Sequence, residues 1–150
     1  MKWIKTHEPK LRENYLEIHY GNLNKETQDM IAYLESKNVL MGRKESESRL
    51  IQPEEIYYCE IVDRKCYAYL KEEVWKLEEG LAKLTERYEM QGFVRISKSM
   101  VVNIFKVKQI QADFNMRMNL VLLNGETVVM SRSYRNDFFR KLKNIRMEET

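Results

Sequence analysis

Phe93-Val94-Arg95-Ile96-Ser97-Lys98-Ser99-Met100-Val101-Val102-Asn103 is followed downstream by Val128-Val129-Met130-Ser131-Arg132-Ser133-Tyr134. Between them, residues 116–123 alternate apolar and polar side chains and end at Asn124-Gly125. β-Branched density and period-two alternation predict strands here, and Asn-Gly predicts a type I′ turn that returns residues 127–130 across it. Residues 107–112 read as a further strand. Two clusters, Ser97-Lys98-Ser99 and Ser131-Arg132-Ser133, each place a cation between hydroxyls where a strand ends. Such loops can present Lys98 and Arg132 to an anionic surface.

Outward from this segment the pattern stays mixed. Residues 56–62 are rich in aromatic and β-branched side chains, Asp63-Arg64-Lys65 is a tight polar turn, and residues 66–70 return as a second strand. Val74, Leu77, Leu81 and Leu84 recur at helical spacing and predict one amphipathic helix interrupted by Gly80. Ser97 is expected to cap a brief helical turn through Val102. Ser131 or Ser133 is expected to cap a last helix with Tyr134, Phe138, Leu142 and Ile145 on its buried side. Near the N-terminus, Leu16, Ile18 and Tyr20 alternate as a strand, and Asn24 can cap a helix running to about Lys37. The polar stretch at 42–48 is a hairpin loop or a boundary. We place a small N-terminal β-α element at residues 1–49 and the main domain at 50–150.

The 150 residues suit one domain with a core plus a small appendage, and 43% apolar with 33% charged residues is ordinary for a globular chain. Charge is uneven. Residues 92–150 hold 11 Lys and Arg against 5 Asp and Glu, whereas residues 1–91 hold 15 against 18. Such asymmetry points to a face that meets a polyanion, nucleic acid ahead of membrane. Cys59 and Cys66 make neither a disulfide framework nor a metal spacing, and Cys59 reads as a buried apolar residue. With no secretory h-region and no apolar run near ~20 residues, a cytoplasmic location is expected.

Competing chemistries find no support. His7 and His19 lack Cys, Asp or Glu at metal-binding spacing, and there is no P-loop, G-x-G-x-x-G, G-x-S-x-G or H-E-x-x-H. The Glu-Glu pairs fall in turns or on solvated helix faces. An enzyme is not expected, nor a cofactor, a metal or a small-molecule substrate. Ser97 and Ser99 can donate to phosphate oxygens, Lys98 can neutralise one, and Arg132 can fork onto guanine N7 and O6. Serines that merely cap turns, or a salt bridge to Arg132, would be the structural alternatives.

Residues 56–60, 77–81, 93–99, Val102-Asn103, Asn124-Gly125 and Ser131-Arg132, in this order, resemble the LytTR-type DNA-binding domain of bacterial transcription regulators over about residues 50–145. The resemblance implies a mainly β fold with short helices, an elongated antiparallel core. It also implies DNA contact through loops entering successive major grooves rather than through a recognition helix. Carried over by position, the contacting segments are 64–67, 97–99 and 131–135, with Arg64, Lys65, Ser97, Lys98, Ser99, Arg132, Ser133 and Arg135 as DNA-binding residues. Many relatives have histidine where this chain has Ser97, and polar donors near Cys66. Residues 1–49 are too short for a receiver domain and resemble short, receiver-free members, some encoded with small membrane proteins. The expected partners are double-stranded DNA, a second copy on repeated half-sites and a small membrane-protein regulator. A protein-interaction module docking an acidic partner is the rival, and an RNA-binding protein is disfavoured because no aromatic stacking motif is present.

Overall fold

The computed structural model describes residues 1–36 and 38–148, and the chain divides into compact units between Asn38 and Val39. In the first unit the Asn24 side chain accepts the Thr27 N–H at 2.9 Å and opens α1 (Lys25–Ser36), as its position predicts. The expected end of this helix, Lys37, lies outside the described residues. Residues 16–20 do not form the expected strand: they are irregular chain, with Leu16 and Tyr20 exposed. Alternation prepares a strand, but a strand exists only where a neighbour takes its N–H and C=O groups.

The second unit is built of antiparallel strands. They are β1 (Leu40–Lys44), β2 (Glu47–Ile51), β3 (Tyr58–Val62), β4 (Lys65–Tyr69), β5 (Val74–Leu77), β6 (Phe93–Ser97) and β7 (Met100–Asn103). β8 (Val107–Ala112), β9 (Met118–Leu122) and β10 (Thr127–Met130) follow. The first seven form one sheet in the order β2-β1-β5-β4-β3-β7-β6, and the last three form another in the order β10-β9-β8. α2 (Leu81–Arg87) lies between β5 and β6, and α3 (Arg135–Glu148) ends the described chain. Mostly antiparallel sheet with few short helices is therefore the fold class, as expected.

Residues 42–48 resolve into a hairpin: β1 and β2 pair from Leu40↔Ile51 to Lys44↔Glu47, turning at Glu45 with φ 52°. Position 49/50, expected as the domain boundary, therefore lies inside β2. Gly42 is needed there, because a Cβ would stand 2.5 Å from Ile51 Cδ1 and 2.8 Å from Trp75 Cβ.

The helix expected over residues 74–84 is two elements. Val74-Trp75-Lys76-Leu77 also alternates, and pairing with β4 makes it a strand that buries Trp75 and Leu77. Gly80, extended at φ −84°, ψ 170°, then caps α2, whose Leu81 and Leu84 are buried. Spacing of three and four across the break imitated one helical stripe.

Two buried clusters meet at β6 and β7. Phe93 and Val101 belong to the cluster beneath α2, with Cys59, Ala68, Leu77, Leu84 and Tyr88. Val94, Ile96 and Val102 face the other cluster, with Leu120, Leu122, Met130 and Phe138. A hairpin covered on both faces needs apolar residues at consecutive positions, which accounts for the unbroken runs Phe93-Val94 and Val101-Val102. Cys59 is fully buried against the Cys66 sulfur, to which its S–H donates, and that contact together with burial pushes its thiol up.

Asn103 closes this region. It is 2% exposed; its Nδ2 donates to Ile56 O at 2.9 Å and its Oδ1 accepts Phe105 N–H at 3.0 Å. Asn103→Ala strands the buried Ile56 carbonyl and removes the partner of the part-buried Phe105 N–H, and should cost about 1–3 kcal/mol. Urea unfolding with an unchanged m-value measures it, and a loss below about 0.5 kcal/mol would show that these bonds are replaced.

Candidate nucleic-acid interface

Strand register brings the basic turns to one end of the sheets. β3 and β4 close at Val62↔Lys65, leaving Asp63 and Arg64 as a two-residue loop with φ 51° and 65°. β6 and β7 close at Ser97↔Met100, leaving Lys98 and Ser99. The Ile61 N–H donates to Ser99 O at 2.8 Å, so these turns are neighbours. Ser131 N–H donates to Ile96 O at 2.9 Å, and Ser131 Oγ donates to the same carbonyl at 3.2 Å. The segment after β10 is thereby fastened beside the end of β6. The β8–β9 turn reaches the same end, because Met118 is opposite both Ala112 and Met130.

The expected helical turn over residues 97–102 is instead the turn of the β6–β7 hairpin. Paired strands satisfy Val101 and Val102 from both sides, and a short helix would have removed them from the core. Lys98 therefore has no helix dipole behind it. Ser97, half-buried, accepts the Ser99 N–H at 3.2 Å, and the two hydroxyls are 3.5 Å apart. Lys98 and Ser99 are exposed.

Arg132 sits in a 3-10 turn, Arg132–Tyr134, rather than at the start of the last helix, which begins at Arg135. Ser131 precedes the turn without a capping bond from its side chain, since its hydroxyl is spent on Ile96. Arg132 and Ser133 are exposed; Arg135 is half-buried, its guanidinium 5.9 Å from the Phe139 ring centre. A cation in the first turn of α3 opposes the helix dipole, a local cost that an incoming anion would reverse.

Of segment 64–67, Arg64 and Lys65 are exposed, whereas Cys66 is 5% exposed and packs in the core. Cys66 is thus removed from the expected contact segment by strand alternation, which turns Lys65 outward and Cys66 inward. Tyr67 is half-buried on the outer side. On that side Tyr58 and Tyr69 stack at 4.3 Å and 8°. Burial, then the Glu126 carboxylate, pushes the Tyr58 hydroxyl up.

Among the described residues Arg64, Lys65, Lys98, Arg132 and Arg135 carry no ion pair. Other arginines are engaged: Arg43 with Glu78 at 2.9 Å, and Arg49 with Glu55 at 2.6 Å and Glu73 at 2.7 Å. Among the described residues the salt bridge considered for Arg132 is not formed. Among the described residues no group of three or more His, Cys, Asp or Glu could hold a metal, and no helix is long and apolar enough to cross a membrane. Arg95 escaped the sequence reading: its side chain binds the carbonyls of Ser97 and Lys98. A charged residue inside Phe-Val-Arg-Ile was the available signal.

The sequence profile of the LytTr DNA-binding domain matches residues 46–143. The chain belongs to the LytTR family. The chain also resembles the solved LytTr DNA-binding domain of a putative methyl-accepting/DNA response regulator from Bacillus cereus. The TM-score is 0.66 at 25% identity, covering 70% of this chain and 96% of that one. The sensory transduction protein LytT of Enterococcus faecalis is 30% identical over 93 residues, 62% of this chain. This LytTR chain spans only 38% of that relative's length. An HTH-type transcriptional regulator of Staphylococcus aureus is 26% identical over 125 residues, 81% of this chain and 84% of that protein. The LytTR domain is, by its description, a DNA-binding domain.

The β3–β4 turn separates stability from charge. Both its residues are left-handed without being glycine, a conformation that costs about 1 kcal/mol per residue. Arg64→Gly should leave stability unchanged or raise it by up to ~1 kcal/mol while weakening DNA binding. A variant that loses stability and keeps its affinity would remove Arg64 from the interface.

Proposed function

We propose that this LytTR protein reads a specific duplex sequence through the turns at 63–65, 97–99 and 131–135, set against successive major grooves. It acts as a homodimer on repeated half-sites and thereby regulates transcription. The observation that carries this reading is the gathering of ion-pair-free cations at one end of neighbouring strands. Lysine and arginine held without carboxylate partners are ready to exchange counterions for phosphates. Arg64, Lys65, Lys98 and Arg135 supply that charge, Ser97, Ser99 and Ser133 add donors, and Arg132 supplies a fork for a base edge. The relatives from Staphylococcus aureus carry an HTH label, yet among the described residues no two α-helices follow one another in the chain. That favours loops over a helix-turn-helix as the reading elements.

Residues 1–38 are assigned to self-association or to reception of a small membrane-protein signal. This unit leaves Trp3 80%, Ile4 89%, Tyr15 67% and Leu16 67% exposed, an apolar surface that is costly without a partner. Deleting it should leave half-site binding intact and abolish dimers in sedimentation. A folded 39–150 fragment that still dimerises would reassign the interface.

Arg132→Ala and Lys98→Ala test the reading together, on a duplex selected by the protein and on random duplex. Arg132→Ala should cost about 1–3 kcal/mol on the selected site and little on random DNA. Lys98→Ala should weaken both and reduce the salt slope by roughly 1. The rival reading, an acidic protein partner, is favoured instead if the wild-type protein prefers no duplex sequence at any salt.

A further inference from the structure

We propose that Arg95 is a positioning residue for DNA reading: its guanidinium holds the 97–99 turn in shape without itself meeting the duplex. The inference rests on the function proposed above. Arg95 Nε donates to Ser97 O at 2.9 Å, and its terminal nitrogen donates to Lys98 O. The next carbonyl, Ser99 O, accepts the Ile61 N–H at 2.8 Å. Three successive carbonyls of the turn are thus tied down, two of them by one half-buried side chain.

This turn needs an external brace where its neighbour does not. A two-residue hairpin loop matches strand twist when its residues are left-handed, as Asp63 and Arg64 are at φ 51° and 65°. Lys98 and Ser99 are not among the residues with positive φ. The β6–β7 ladder compensates with a register shift between Arg95 and Ser97, which takes the carbonyls near the turn out of regular pairing. Arg95 sits at that irregularity and supplies donors for them. The guanidinium reaches the two carbonyls from two different nitrogens held in one plane, Nε and a terminal nitrogen, whereas a lysine has all its donors on a single atom and cannot reproduce that spacing. With the backbone held, Lys98 projects from a fixed base, and the ordering entropy is spent in folding rather than in binding. The Arg95 charge also stands behind the turn, where it adds to the potential without occupying the contact surface.

The full-length protein carrying Arg95→Lys, Lys98→Ala or both tests this. In the free protein, ¹⁵N relaxation at the Lys98 and Ser99 amides should change from rigid values near ~0.85 to below ~0.6 in Arg95→Lys. On the duplex selected by the wild-type protein and on random duplex alike, Arg95→Lys should lose up to about tenfold in affinity, no more than Lys98→Ala itself loses on each. With Lys98→Ala already present, Arg95→Lys should cost less than about twofold, because the residue being positioned is gone. Losses that add to those of Lys98→Ala would make Arg95 an independent phosphate contact and overturn the assignment. Unchanged amide mobility would overturn it without reference to DNA. If the wild-type protein selects no duplex, the proposed function fails, whereas the amide measurement still decides whether Arg95 holds the turn.

Discussion

The β6–β7 hairpin is the constraint on which the second unit depends. Phe93 and Val101 fill the cluster under α2, while Val94, Ile96 and Val102 fill the cluster shared with β9, β10 and α3. Successive residues of a strand point to opposite faces, so one short hairpin serves both clusters. A slip of one residue would exchange the two sets of side chains and spoil both. Asn103 pins the end of the hairpin by bonding Ile56 O and Phe105 N–H. The basic turn at Lys98 is thereby mounted on the best-covered element of the molecule. A loop that must present a cation to a rigid duplex gains from such a mount, since mobility at its base would be paid as binding entropy.

Around this mount, turn chemistry is distributed unexpectedly. Asn124-Gly125 carries the sequence signal for a type I′ turn, yet only Gly125 is left-handed, at φ 89°. The Gly125 N–H donates to Leu122 O at 3.0 Å and the Leu122 N–H to Glu126 O at 2.8 Å, a three-residue loop closed by glycine. The left-handed pair occurs instead at Asp63-Arg64, where neither residue is glycine. Strain at an exposed arginine and a first-turn cation in α3 both sit at the candidate interface. Local costs there, beside cations that form no ion pair, suit a surface that awaits a polyanion.

Much of this protein was legible in its sequence by itself. Alternation and β-branched density placed β3, β4, β6, β8, β9 and β10, and the Asn24 cap placed the start of α1. The order of short motifs identified the LytTR family. These are local or additive properties of the chain, so no partner is needed to express them. Tertiary structure decided what depends on neighbours. It made residues 74–77 a strand because β4 was there to pair with them, and left residues 16–20 unpaired. It replaced a helical turn by the Ser97–Met100 closure because two cores claim Val101 and Val102. It also turned Cys66 inward and brought the Arg95 guanidinium onto two carbonyls. Pairing and burial are contacts between residues distant in the chain, and sequence spacing carries no record of which of two faces, or which partner, will be present.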